Sequence, residues 1–242
     1  MSLNVLGNNR VKTIGLIGGM SWESTRLYYE YLNRGVQQRL GGLHSARVLL
    51  SSLDFAPIAT MQRESRWDEA GEVLALEAAR LEQAGADLIA LSTNTMHKCA
   101  AQVTAAIRVP FLHIVDPLVD ALRTDGRNRP LLLATRFTME DRFFVERLEA
   151  ANLKPLVPPA DDRIALHTII FDELCKGIVT APSKQLAERL VHDGAAIGSD
   201  SVILGCTEIC MLIRSGTVPL PVYDTTALHT SALVEAAVQH GR

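Results

Sequence analysis

Two stretches of this chain read as copies of one another: Ala86-Asp-Leu-Ile-Ala-Leu-Ser-Thr-Asn-Thr95 and Ser199-Asp-Ser-Val-Ile-Leu-Gly-Cys-Thr-Glu208. Aligned without a gap, they pair Asp87 with Asp200, Leu91 with Leu204 and Thr93 with Cys206. Each is an apolar run of strand length that ends in a small residue, then a hydroxyl or thiol, then further polar residues. In an α/β sheet this is the carboxyl end of a strand, where the next helix begins and where ligands bind. Two such ends in one chain restrict it to folds that offer two related sites.

The likeness extends upstream. Ala78–Gly85 repeats as Ala187–Gly194, an amphipathic helix that each time is expected to close on its glycine. A weaker match pairs Ile14–Ser21 with Leu131–Thr138, apolar runs ending in a hydroxyl residue suited to capping a helix. Matched pieces in the same order predict a duplicated half. The expected architecture is α/β, with two similar doubly wound halves related by a pseudo-twofold and one strand-end site in each. The polar segment Arg123–Pro130 is the expected crossing. The first domain is read as residues 1–110 plus 222–242 and the second as 111–221, with the closing helix Thr226–His240 expected to pack back on the first.

A chain of 242 residues, 48% of them hydrophobic, can fill a sizeable core. Its net charge of −3, without a basic run, gives no electrostatic footprint for nucleic acid or an anionic membrane. No stretch approaches a membrane span and Met1–Arg10 lacks an apolar signal core, so a cytoplasmic location is expected. The scatter of Cys99, Cys175, Cys206 and Cys210 favours free thiols. Cys206 and Cys210 lie one helical turn apart but lack a second ligand pair for zinc. Cys99, Cys175 and Cys210 read as small buried residues.

The first strand, Lys12–Ile17, turns at Gly18-Gly19, glycines expected to let backbone approach a ligand, into a helix that Ser21 caps. The glycine spacing is not a dinucleotide fingerprint, and Asp54 after the second strand, Ala46–Leu53, lacks the context of a ribose ligand, so no nucleotide cofactor is expected. Asp54–Ala70 reads as a polar, irregular segment over the same sheet edge. In the second half, helices are expected at Thr138–Ala150, at Arg163–Gly177 with Lys176 at its end, and at Ser183–His192, with a strand at Val222–Asp224.

Gly18-Gly19-Met20, Thr93-Asn94-Thr95-Met96-His97, Lys176-Gly177 and Gly205-Cys206-Thr207-Glu208 together resemble the aspartate/glutamate racemase family of cofactor-independent amino-acid racemases. The resemblance spans nearly the whole chain. It implies an isomerase acting on a small-molecule amino acid in the cleft between the two domains, without a cofactor and as a homodimer, in which two thiols face opposite sides of Cα. One thiolate removes the α-proton and the other thiol returns a proton from the far side. Inversion needs a base and an acid on opposing faces, which a duplicated strand end supplies. A thiol, with an ordinary pKa of about 8.5, suits both tasks.

This chain departs from the family pattern by placing Thr93 where two-thiol members have cysteine. By analogy with those members, Cys206 is the base toward L-substrates, while Thr93 or a water it holds reprotonates slowly from the other face. The expected racemase favours L-amino acids, and Cα exchange outruns inversion. The resemblance assigns Asn94, Thr95, Thr135 and Thr207 to the α-carboxylate and amine, at two facing helix N-termini. It assigns Lys176 to a substrate carboxylate, which points to aspartate or glutamate. Gln62 is expected to bind the substrate side chain, with Arg63 and Arg66 as alternatives. Met20 is expected in the pocket wall, Glu208 is expected to orient the second strand-end loop or poise the thiolate, and His97 is expected to be structural. Two other readings compete: a non-catalytic amino-acid binding module, and a single-cysteine decarboxylase of the same superfamily. The decarboxylase needs an apolar pocket, against which the polar stretch Asp54–Ala70 argues.

Overall fold

The computed structural model describes residues 11–238. The first half begins with strand β1 (Thr13–Gly18), helix α1 (Trp22–Leu40), β2 (Arg47–Ser52), α2 (Phe55–Arg63), α3 (Trp67–Gln83) and β3 (Leu88–Leu91). A short 3₁₀ turn at Thr95–Cys99 then leads into α4 (Ala100–Ala105) and α5 (Val115–Thr124). The second half holds β4 (Pro130–Ala134), α6 (Arg136–Glu140), α7 (Arg142–Ala150), α8 (Ala160–Asp172), α9 (Ala181–Ala196), β5 (Ser201–Gly205), β6 (Val222–Asp224) and α10 (Thr225–Val238).

All pairings within the two sheets are parallel, in the orders β2-β1-β3 and β4-β5-β6. Single bridges extend each sheet by one segment, Phe111 beside Ile89 in the first and Leu156 beside Leu131 in the second. Both sheets then share one order, in which β1 matches β4, β2 matches the Leu156 segment, β3 matches β5 and the Phe111 segment matches β6.

The repeat extends to individual hydrogen bonds. Asp87 accepts from the Thr13 amide at 2.6 Å, and Asp200 accepts from the Asn128 and Arg129 amides at 2.6 and 2.9 Å. Each aspartate therefore fastens the start of its strand to the strand beside it. Pro110 and Pro221 carbonyls accept from Ile89 and Val202, both at 2.9 Å. Neither proline needs a donor there, because each stands at the start of an outer segment.

The helix that repeats closes differently from the sequence expectation. Gly85 (φ 96°) does end the turn after α3, but its counterpart is Gly198 (φ 91°), not Gly194. Gly194 lies inside α9, buried, where a Cβ would come within 2.7 Å of Leu131. The Ala86 amide bonds to Leu81 and the Ser199 amide to Gly194, so the gapless strand alignment carries back through the helix end.

Helices cover both faces of the first sheet. Ile14, Leu16, Leu88 and Ala90 pack with Tyr28 and Leu32 of α1 and Leu233, Val234 and Ala237 of α10. Ile17, Ile89 and Leu91 pack on Leu74 and Ala78 of α3. Helix α5 follows the first sheet, yet its Val115, Leu118, Val119 and Leu122 join the second core. Helix α10 follows the second sheet yet packs on the first, so the halves exchange helices. The packing of α10 agrees with its sequence reading up to Val238, and residues 239–242 lie outside the described range; α5 had not been read as a helix. The expected boundaries shift accordingly, because Val222–Asp224 is paired in the second sheet and Phe111 is bridged to the first.

Two further expectations change. Asp54–Ala70 is ordered as α2, a tight turn and the start of α3, because Asp54 caps α2 by accepting from Ala56 at 3.2 Å and Pro57 sits in the first turn, where no amide is needed. The helix expected through Gly177 stops at Asp172 and gives way to a 3₁₀ turn at Leu174–Lys176, ended by Gly177 at φ 72°.

Candidate active site

The ends of β3 and β5 face a narrow cleft between the halves, with about 350 Å³ of empty space including its open mouth. Thr93 and Cys206 both line it, as do Met20, Gln62, Asn94, Thr95, Thr135, Thr207 and Glu208. Nine of the ten residues singled out in the sequence therefore converge. Lys176 does not. Its side chain is 59% exposed and its Nζ lies 3.7 Å from Asp172. Arg63 is exposed and bonds Thr60, while Arg66 bonds Glu64 and Glu69. The facing helix N-termini also differ from expectation, because both strands lead into short 3₁₀ turns, at Thr95–Cys99 and Ile209–Met211.

Glu208 is the hub of the second strand end. It is buried, and its Oε1 accepts from Ser21 and Ser24, each at 2.6 Å, while Oε2 accepts from Thr207 at 2.6 Å and from the Cys206 thiol at 3.0 Å. Ser24 and Thr207 hydroxyls also bond one another. Ser21 and Ser24 start α1, where Ser21 caps the helix, so this carboxylate ties the two halves together. Neither serine is expected from the sequence as a partner of Glu208, Ser21 being read there as a helix cap. Burial, and then the Glu208 charge, push the Cys206 thiol well above its ordinary pKa. In the free site Cys206 is a thiol donating to a carboxylate.

The first strand end is held from beneath by histidine. His97 Nε2 accepts from the Ile114 amide at 3.2 Å, which leaves Nδ1 to carry the hydrogen donated to the Thr93 carbonyl at 2.7 Å. His113 and His229 pack around it, with ring centres 4.6 and 5.9 Å away. The structural reading of His97 thus gains content, since its ring fixes the backbone that presents Thr93. Asn94 donates to Thr225 at 3.0 Å, and its buried Oδ1 has no partner. Thr95, Thr135 and Thr138 form a triangle of hydroxyls across the halves, at 2.9 to 3.2 Å.

Gly19 plays a part other than the one expected. At φ 85°, a Cβ there would come within 2.1 Å of the Leu53 carbonyl oxygen, so the close approach it permits is to the end of β2 and not to a ligand.

Four lining residues had no sequence signal as site residues: Phe55, Ile170, Phe171 and Cys175. Phe55 and Phe171 stack across the halves with centroids 6.0 Å apart. The stretch Asp54–Ala70, expected to make the cleft polar, contributes both the polar Gln62 and the aromatic Phe55. Cys175, read as simple packing, points at the hub, with Sγ 3.7 Å from Glu208 Oε1. No group of three or more His, Cys, Asp or Glu side chains able to hold a metal occurs among the described residues. None of their helices is long and apolar enough to cross a membrane.

A duplicated α/β chain that brings a thiol and a hydroxyl from equivalent strand ends to one cleft is built as an isomerase of the amino-acid racemase class. The Asp/Glu/Hydantoin racemase family model matches residues 17–233, and the chain belongs to that family. It is similar to a candidate Asp/Glu racemase from Yersinia pestis, at 42% identity and TM-score 0.87, over 94% of this chain and all of that one. An aspartate racemase homologue from Pyrococcus horikoshii OT3 matches at 31% identity and TM-score 0.82, over 94% of this chain and 100% of that one. The broad specificity amino-acid racemase RacX of Bacillus subtilis (strain 168) is 21% identical over 88% of this chain and 93% of its own length.

Proposed function

We propose that this chain racemises an amino acid by moving the Cα proton between opposite faces, with Cys206 as the base toward the L-enantiomer and Thr93, directly or through a water, serving the other face. The observation that carries this reading is the placement of Thr93 and Cys206 at equivalent strand ends on one cleft. The L-substrate enters with its ammonium toward Asn94 Oδ1, a buried acceptor without a partner. The hydroxyls of Thr95 and Thr135 take the α-carboxylate, while the Thr207 hydroxyl donates to Glu208. As the α-proton leaves, charge develops on that carboxylate, and donors already aimed at it lower the barrier.

The free thiol must first lose its proton. Glu208 opposes that loss, and the arriving ammonium favours it, so binding of substrate readies the base. Thr93 is a poor acid and a worse base than a thiol, so reprotonation from its side is slow and the carbanion often regains a hydrogen from Cys206. Exchange of the L-substrate α-proton with solvent therefore outruns inversion. The expectation of an acidic side chain rested on Lys176 and on Gln62, with Arg63 and Arg66 as alternatives to Gln62; of these, Gln62 alone lines the cleft.

The test is proton NMR of L-amino acids in deuterium oxide with the purified enzyme. The reading requires loss of the α-proton signal, and its absence with every substrate that binds is incompatible with it.

A further inference from the structure

We infer that the cleft selects amino acids with an uncharged, largely apolar side chain, which the Phe55–Phe171 wall receives. This rests on the racemase reading of the same site and names its substrate class.

Among the described residues, the lining contains no lysine, arginine or histidine. Several cations are ion-paired outside it: Lys98 with Asp141 at 2.7 Å, Arg136 and Arg163 with Glu140, and Arg66 with Glu64 and Glu69, while Arg63 is exposed and bonds the Thr60 hydroxyl. The cleft already holds one carboxylate, that of Glu208. Asn94 Oδ1 is an unpartnered buried atom there, and Gln62 brings a neutral amide. A second substrate carboxylate would meet like charge and lone pairs with no cation to offset its desolvation, which disfavours burial strongly.

What the cleft does offer is apolar surface on both sides. Met20 and Phe55 come from the first half and Ile170 and Phe171 from the second. The ring pair is also braced from behind. Phe171 packs on His167 with centroids 4.7 Å apart, His167 on Phe137 at 5.3 Å, and Phe137 on Trp67 of the first half at 5.5 Å. Five rings thus run from α3 through the second half to α2, which holds the wall in place while the side chain packs against it. A flexible thioether or unbranched aliphatic chain suits such a narrow space and pairs well with ring edges.

Titration calorimetry of the full chain with L-methionine, L-glutamate, L-aspartate and L-alanine tests this, with α-proton exchange recorded on the same samples. Methionine is expected to bind at least about tenfold more tightly than either acidic amino acid. Phe171→Ala should lose that advantage, and Phe171→Leu provides the same comparison if the alanine variant does not fold. Glutamate or aspartate binding as tightly as methionine overturns the inference, as does methionine binding that is indifferent to both substitutions. Selective methionine binding without exchange would support the side-chain assignment while removing the racemase reading, so the two fail separately.

Discussion

The Cys206 thiol points at Glu208, with Sγ 3.0 Å from Oε2, and two serines from the other half hold the opposite carboxylate oxygen. A base is thus stored in protonated form beside a fixed negative charge. After burial, that charge is the largest contribution raising the thiol's pKa. Glu208→Gln removes it and lowers the pKa of the free thiol. The rising limb of kcat/KM against pH for L-substrate exchange is expected to move to lower pH. The same change disturbs a buried acceptor of five donors and should cost about 1–3 kcal/mol of stability, read from denaturant melts. A limb that stays in place would mean that Glu208 does not control the thiol.

Thr93→Cys restores a thiol at the opposite strand end. Turnover from the D-enantiomer is expected to rise by about tenfold or more, because a thiolate is a far stronger base than a threonine hydroxyl. L-substrate exchange should change less. A chiral assay started from each enantiomer separates these outcomes, and an unchanged D-rate speaks against opposed faces.

The buried histidines predict acid lability. Burial holds His97 well below its ordinary value of 6.5, His113 down to about 3 and His229 down to about 4. All three are neutral when folded but take up protons when unfolded, so between those values the unfolded chain binds more protons. Stability is therefore full above about pH 6.5 and is lost as pH falls toward 4 and then 3. His229 alone accounts for about 3 kcal/mol across its window. Urea midpoints measured from pH 7 to 4.5 should fall steeply, and His229→Gln should flatten that fall; a flat profile in the parent protein would contradict the assignment.

Gly19→Ala places a methyl against the Leu53 carbonyl in a backbone conformation that alanine resists. A loss of about 2 kcal/mol or more is expected, well beyond the usual effect of a surface change. Thermal melts check this, and a variant as stable as the parent would show that the loop can move away.

Much of this architecture is legible in the sequence because strand ends in α/β sheets carry chemistry at fixed positions. Thr93 and Cys206 could be paired before any coordinates, and with them Asn94, Thr95 and Thr207. Lys176 could not be placed, because α8 breaks at Asp172 and the tighter 3₁₀ turn that follows changes the angle between successive side chains. That turn presents Cys175 to the cleft and Lys176 to solvent. Phe55 and Phe171 lie far apart in sequence and meet only because the halves face one another. Helix α5 was legible, since Val115, Leu118, Val119 and Leu122 recur at helical spacing, and went unread; Gly194 was taken for a cap because a glycine near a helix end has the same sequence signal whether it ends the helix or lets a strand pack close.

The central claim is that Cys206 removes the α-proton of the L-enantiomer. Its most direct test is the rate of α-proton loss from L-methionine in deuterium oxide, recorded for the parent enzyme and for Cys206→Ala beside a chiral assay. Exchange faster than formation of the D-isomer in the parent, and none in a folded Cys206→Ala variant, is the predicted result. Exchange that survives the substitution would contradict it and assign the base to another group.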